Sequence, residues 1–184
     1  MTLRLFAAML VVAVATSGCA SISKKDCLAG DWGGLGFEDG AKGQSATYFG
    51  EHVDACAKVD VVPERSTYDR GYQQGLLQYC TPEKGYEEGA RDGNYLGVCP
   101  AETQTVFLKQ YLEGLDAKLF RLDLDYESAR SGLESSRVER ASLGEQEVSK
   151  RLRRSIENGE SRVSSINEQR LSIRSKISRW RREL

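Results

Sequence analysis

Apolar positions fall into two regimes along the chain, and the second is the simpler. Leu108, Leu112, Leu115, Leu119, Leu122, Tyr126, Ala129 and Leu133 keep an unbroken four–three spacing, the seam of a coiled coil. A second seam runs through Leu152, Ile156, Gly159, Val163, Ile166, Arg170, Ile173, Ile177 and Trp180. The two are out of frame by two residues, so the helix is interrupted between them. They mirror each other about Gly144: Leu108 against Trp180, Leu115 against Ile173, Leu122 against Ile166 and Ala129 against Gly159. Ser142-Leu143-Gly144-Glu145 has the pattern of a capping box that starts a second helix. The pattern predicts an antiparallel helical hairpin whose first arm starts near 101 and turns near 144. The competing arrangement is one continuous helix with a stutter, dimerising in parallel. An arm of ~35 residues reaches about 50 Å, whereas the unbroken helix would reach about 120 Å.

Between Lys24 and Gly114 the pattern is different. The phrase Gly-aromatic-x-x-Gly recurs as GFEDG from Gly36, GYQQG from Gly71 and GYEEG from Gly85, with a degenerate copy, QYLEG, at Gln110–Gly114. The intervals are unequal, which excludes a solenoid of fixed period. Glycines at i and i+4 share one helix face and would admit a neighbouring backbone, with the adjacent aromatic covering the joint. Each interior glycine costs ~1 kcal/mol relative to alanine, so a helix that keeps several needs such a packing reason. Tyr68, Tyr72, Leu76 and Tyr79 follow helical spacing beside Gly71 and Gly75. Thr81-Pro82 supplies an N-cap and a proline at the first helical position, and Pro100 is placed to open the next helix. The expectation is an all-α fold of short glycine-rich helices followed by the long hairpin.

Such a core is poor in Leu, Ile, Val and Phe, and small scaffolds of this kind need staples. Cys27, Cys56, Cys80 and Cys99 allow three connectivities. Sequential pairing, Cys27 with Cys56 and Cys80 with Cys99, fits helix pairs clamped locally. Each bridge would contribute roughly 3 kcal/mol in the chain-entropy picture.

The N-terminus reads as an export signal over residues 1–18. Arg4 gives a basic start and Leu5–Ala15 an apolar run of about ten residues, shorter than the ~20 needed to span a bilayer. Ala13-Val14-Ala15 suits ordinary signal cleavage. Thr16-Ser17-Gly18-Cys19 is similar to the bacterial lipobox, with Thr16 in place of the usual aliphatic, and makes Cys19 the expected lipidation site. Parity agrees: of 5 cysteines, lipidation of Cys19 leaves an even number to pair. Ala20 after the cysteine suggests, by resemblance to lipoprotein sorting, the outer membrane, with the protein facing the periplasm. Residues 19–26 then form a short linker, 27–114 the stapled helical domain and 115–184 the coiled-coil tail.

Asp31-Trp32, GFEDGAKG at 36–43, HVDAC at 52–56, YDRGYQQGLLQYCTPEKGY at 68–86 and GNYLGVCP at 93–100 occur in that order. Together they resemble the family of Gram-negative lipoproteins that share the domain of unknown function two-seven-nine-nine. The resemblance covers roughly Cys27 to Gly114, with Lys84 where asparagine is common. The family has no established activity, so it implies an address and domain limits but no catalytic residue.

Charge and residue chemistry narrow the function classes. A formal net charge of -1 gives no case for nucleic acid as a partner. From Glu145 onward 11 Lys/Arg face 6 Asp/Glu, a basic arm suited to anionic cell-wall polymer or an acidic partner, or simply a solvated face. The single histidine, His52, has Glu51 and Asp54 nearby and reads as a packing residue rather than a general base. No second histidine accompanies it for zinc, and the cysteines have a better use in an oxidising compartment; no metal or cofactor is expected. GGLGFEDG at 33–40 fails the spacing of a nucleotide loop. Glu38, Asp39, Glu87 and Glu88 could supply an acid–base pair for glycoside cleavage, but nothing in the sequence fixes their separation. The expected protein is therefore a non-enzymatic outer-membrane lipoprotein held by Cys19. Its candidate partners are the membrane, another envelope protein, peptidoglycan and a second copy of itself. A peptidoglycan-binding or cell-wall-modifying protein is the alternative.

Overall fold

The structure, a computed structural model, describes residues 21–144 and 148–184; Cys19 lies outside them. The described residues form helices and no strands. Helix α1 (Lys24–Ala29) and α2 (Trp32–Ala41) are followed by a 3-10 turn (Ala46–Tyr48), α3 (Phe49–Ala57), α4 (Arg65–Tyr79), α5 (Pro82–Ala90), α6 (Ala101–Ser142) and α7 (Lys150–Trp180). Starts are marked by capping side chains. Ser23 accepts from the Asp26 N–H, Asp31 from Gly34, Thr81 from Lys84 and Ser149 from Leu152.

The glycine phrases pair. A Cβ built on Gly36 or Gly40 of α2 would stand 2.1 or 2.2 Å from the carbonyl oxygens of Tyr68 and Tyr72. One on Gly71 or Gly75 of α4 would stand 1.9 or 2.1 Å from those of Gly33 and Phe37. Later residues of α2 meet later residues of α4, so the two helices run parallel with backbone against backbone. The second pair repeats this. Gly85 and Gly89 of α5 face the carbonyls of Phe107 and Tyr111, and Gly114 of α6 faces that of Tyr86. The stretch Lys24–Gly114 is thus two units of the same design, each a parallel helix pair. In the first, the crossover carries α3; in the second it is the irregular segment 91–100.

Equivalent details recur in both units. Tyr72 donates its hydroxyl to the Gln44 carbonyl at 2.6 Å, and Tyr111 donates to that of Gly93 at 2.8 Å. Just after the first helix of each pair the chain turns through a positive φ, 67° at Gly43 and 62° at Asp92. The disulfides occupy matching places as well. Cys27–Cys56 and Cys80–Cys99 each tie the approach to the first helix to the crossover that leads to the second. Parallel helices need a long return, and the bridge closes it. The tyrosine stripe lies within this core: Tyr68, Tyr72, Leu76 and Tyr79 are all buried.

Helix α6 is continuous for 42 residues and serves twice. Its first turns complete the second glycine joint, and the rest forms the hairpin with α7. The seam residues Leu115, Leu122, Ala129 and Leu133 are buried on α6, as are Leu152, Ile156, Ile166, Ile173, Ile177 and Trp180 on α7. Near the middle of the seam Arg170 donates its Nε to Asp123 while its guanidinium lies 4.2 Å above the Tyr126 ring. This polar layer is favoured by both charge and ring. Trp180 returns to the head and packs on Tyr95, ring centroids 4.9 Å apart.

The hairpin forms, but its register differs from the mirror about Gly144. Gly159 faces Leu133, whose Cδ1 lies 3.2 Å from a Cβ built on the glycine, rather than Ala129. Leucine over glycine fills the seam, whereas alanine over glycine would leave a void and forfeit contacts on both sides. The pairing is thus slid by about one helical turn from the mirror about Gly144, while the fold-back still falls between Ser142 and Lys150. Ser142 accordingly does not cap the second helix; it is the last residue of α6 and donates its hydroxyl to the Glu139 carbonyl at 2.8 Å. Ser149 is the cap.

The joints give a test by contrast. Gly75→Ala and Gly89→Ala should each destabilise by roughly 1–3 kcal/mol, although alanine is the better helix former by ~1 kcal/mol. Gly50→Ala in α3, where nothing lies within 4 Å of the built Cβ, should instead stabilise by up to ~1 kcal/mol. Urea unfolding followed by circular dichroism measures all three. Stabilisation at Gly75 like that at Gly50 would mean that the helices do not meet there.

Candidate functional site

The first glycine joint is closed on one side by a cluster of polar side chains. Asp39 sits on α2 one residue before Gly40, Tyr68 opens the buried stripe of α4, and His52 comes from α3. All three are buried, with 5 %, 0 % and 1 % exposure. Tyr68 donates its hydroxyl to Asp39 Oδ2 at 2.8 Å, and His52 Nε2 lies 2.7 Å from the same oxygen. His52 Nδ1 lies 2.9 Å from the Ser21 hydroxyl. With the imidazole neutral, Nε2–H donates to Asp39 and Nδ1 accepts from Ser21. Three segments and the N-terminal strap are thereby joined through one carboxylate and one ring. Among the described residues no buried side-chain nitrogen or oxygen lacks a partner, the condition under which such a network stabilises rather than costs.

The order Ser21–His52–Asp39 is that of a nucleophile, a base and an orienting acid. The surroundings do not continue the chemistry. Acyl transfer needs hydrogen-bond donors aimed at the oxyanion, but the cavity beside Ser21, of about 400 Å³, is lined by the acidic side chains of Asp26, Asp31 and Glu38. The nearest capping donors are already used, Gly34 N–H by Asp31 at 2.8 Å and Asp26 N–H by Ser23 at 3.2 Å. Carboxylates would repel a developing negative charge. The arrangement holds the strap to the head, with Ile22 also buried.

The equivalent residue in the second unit is Glu88, 7 % exposed, which accepts from Arg91. The four carboxylates considered from the sequence are each engaged where they stand. Glu38 pairs with Lys42 at 3.0 Å, Asp39 with His52 and Tyr68, Glu87 with Lys84 at 2.5 Å and Glu88 with Arg91. His52 takes neither Glu51 nor Asp54 as a partner but Asp39 and Ser21. These are 13 and 31 residues distant along the chain, and no local spacing announces them. Residues 33–40 fall within α2. The four cysteines Cys27, Cys56, Cys80 and Cys99 are brought together in the sequential pairs.

Buried phenols dominate the electrostatics. Burial, then the hydrogen bond to Asp39, pushes Tyr68 far above the usual tyrosine range. Burial is also the leading cause of the upward shifts of Tyr72, Tyr79, Tyr95 and Tyr111. Among the described residues no group of His, Cys, Asp and Glu side chains is arranged to hold a metal ion, and no helix is long and apolar enough to cross a membrane.

The family described as "Protein of unknown function (DUF2799)" matches residues 31–116, which run from the cap of α2 to the first turns of α6 beyond the second glycine joint. No curated protein and no solved structure matches the chain.

The phenols predict an alkaline transition. The folded chain keeps their protons while the unfolded chain releases them near the ordinary tyrosine value of about 10. Their contribution to stability is therefore complete below that pH and falls away as pH rises above it. Absorbance of the phenolates and far-ultraviolet circular dichroism, followed together from pH 9 upward, should show ionisation of these five tyrosines coinciding with loss of helix. Their ionisation in a fully helical protein near pH 10 would contradict the burial.

Proposed function

We propose that this chain, which belongs to the DUF2799 domain family through residues 31–116, is a non-enzymatic lipoprotein of the outer membrane. In this reading it is held by a lipid on Cys19 and presents its helical hairpin in the periplasm for interaction. The observation that carries the reading is the use of the cysteines. Four of the five are paired among themselves, which fits an oxidising compartment and leaves Cys19, in its lipobox-like setting, for the thioether. Ser21 and Ile22 are already fastened to the head, so the folded domain begins two residues after the anchor and no long tether separates them. From the second joint, α6 carries the arm about 40 Å outward at 1.5 Å per residue. Radiolabelled fatty acid should enter the wild-type protein and not Cys19→Ala. Equal or absent labelling in both would remove the anchor.

A second reading, binding to the cell wall, is favoured by the far end of that arm. Lys150, Arg151, Arg153 and Arg154 are exposed at the start of α7, whose first turn holds no acid. None of the four pairs with a carboxylate among the described residues. Cations at a helix N-terminus are opposed by its dipole, so these four side chains would gain from an anionic polymer, although Glu139 and Glu157 stand beside Arg151 and Arg153. Purified peptidoglycan should retain the protein at low salt and release it at moderate salt. Arg153→Glu/Arg154→Glu should abolish retention. Salt-insensitive retention by both proteins would exclude the tip, release of muropeptides would reveal an enzyme, and no retention would leave a protein partner.

A further inference from the structure

Helix α6 carries apolar residues on two faces, and only one is covered. Val106, Phe120, Leu124 and Val138 are 50 %, 64 %, 58 % and 60 % exposed. At 3.6 residues per turn all four lie within about 40° of one another. They stand on the side away from Leu115, Leu122 and Leu133, which face α7. The exposed apolar residues elsewhere, such as Leu28, Val62 and Leu171, are scattered singly, as on any surface. The stripe on α6 is continued by the half-buried Ala117 and the small residues Ser128, Ser131 and Ser135, and it is interrupted by the exposed Glu113. A hairpin needs one seam on each helix, and α6 has two.

The spacing identifies the occupant. The four residues are symmetric about position 122: Phe120 and Leu124 lie two residues to either side, and Val106 and Val138 sixteen. A face with that symmetry is complementary to itself when two copies meet antiparallel, the requirement of a two-fold interface. We propose that this face of α6 joins two copies of the chain as an antiparallel dimer, with Phe120 of each copy on Leu124 of the other and Val106 on Val138. The contact spans about 48 Å of helix.

Of three further features two agree, and one, a like-charge approach, is offset within the chain. Lys109 of one copy falls beside Glu134 of the second copy on the same flank, an attractive pair formed twice. Asp116, which approaches the second copy's Glu127, already carries Arg181 at 3.1 Å. The third is Gly132, an interior helical glycine that has nothing within 4 Å of a built Cβ, so the fold of one chain gives no reason for its cost. In the dimer it lies opposite the second copy's α5, which is seated on α6 at Gly114 and exposes Tyr86 at 41 %. The heads then lie at opposite ends of the dimer, so both lipid anchors reach one membrane when the paired arms lie along it, with the two basic tips pointing in opposite directions.

Sedimentation equilibrium of the full chain in detergent should give a dimer. Phe120→Glu and Leu124→Glu should each weaken it at least tenfold while helix content stays unchanged, because both side chains are exposed in the single chain. Lys109→Glu and Glu134→Lys should each weaken it, and the double exchange should restore it. Orientation is read separately. Residues 113 and 131 lie about 27 Å apart on one helix and cannot join within a chain, so oxidised Glu113→Cys/Ser131→Cys should give covalent dimers and Glu113→Cys alone should not. A monomer at all concentrations, a dimer indifferent to Phe120→Glu, or cross-linking of Glu113→Cys to itself would each overturn the proposal.

Discussion

Backbone-to-backbone contact at the two glycine joints is the constraint on which the rest of the structure depends. With so few large aliphatic side chains in the head, burial alone supplies little, and the helices gain by coming closer than side chains normally allow. Carbonyl oxygens occupy the space of the missing Cβ atoms at Gly36, Gly40, Gly71, Gly75, Gly85, Gly89 and Gly114. Such proximity favours dispersion and weak Cα–H···O contacts. It also fixes the register, since a shift of one residue would drive a side chain into a backbone. The parallel direction of each pair then demands a long crossover, and the crossover demands a staple. Cys27–Cys56 and Cys80–Cys99 follow from the joints rather than compete with them.

Tyrosine completes the arrangement. Beside glycine a large ring can roof the joint, and its hydroxyl reaches the turn that follows the first helix, as Tyr72 reaches Gln44 and Tyr111 reaches Gly93. In the first unit the corresponding acid, Asp39, gathers Tyr68, His52 and through it Ser21. In the second, Glu88 faces Arg91 at the edge. One design has therefore been finished in two ways: the first unit fastens the N-terminal strap, and the second hands its helix on to the arm.

Much of this was legible in the sequence because it rests on local repetition. The glycine phrases, the stripe from Tyr68 to Tyr79, the Thr81-Pro82 start and both apolar seams are periodic within one element, and periodicity survives without knowledge of the fold. The sequential cysteine pairs followed from the same local reasoning. Which phrase meets which, and in which direction, was not legible, since the pairing of Gly36–Gly40 with Gly71–Gly75 is a property of the crossover. The Asp39–His52–Ser21 network was hidden by its separation along the chain, which made Glu51 and Asp54 look like the natural neighbours. The hairpin register turned on whether Leu133 or Ala129 better fills the space over Gly159, a question of volume that a heptad count does not contain.

Helix α6 is the shared member: it holds α5 by a glycine joint on one side and α7 by a coiled-coil seam on another. The distance across it tests the account most directly. Spin labels at the exposed positions Glu87, on α5, and Arg182, just past α7, are separated by about two helix-packing distances, ~20 Å, if both contacts exist in one chain. In labelled chains diluted with unlabelled copies, a single narrow distribution near that value is the expected result. A separation near ~100 Å, the reach of one unbroken helix, would contradict the fold-back and the dual role of α6 with it.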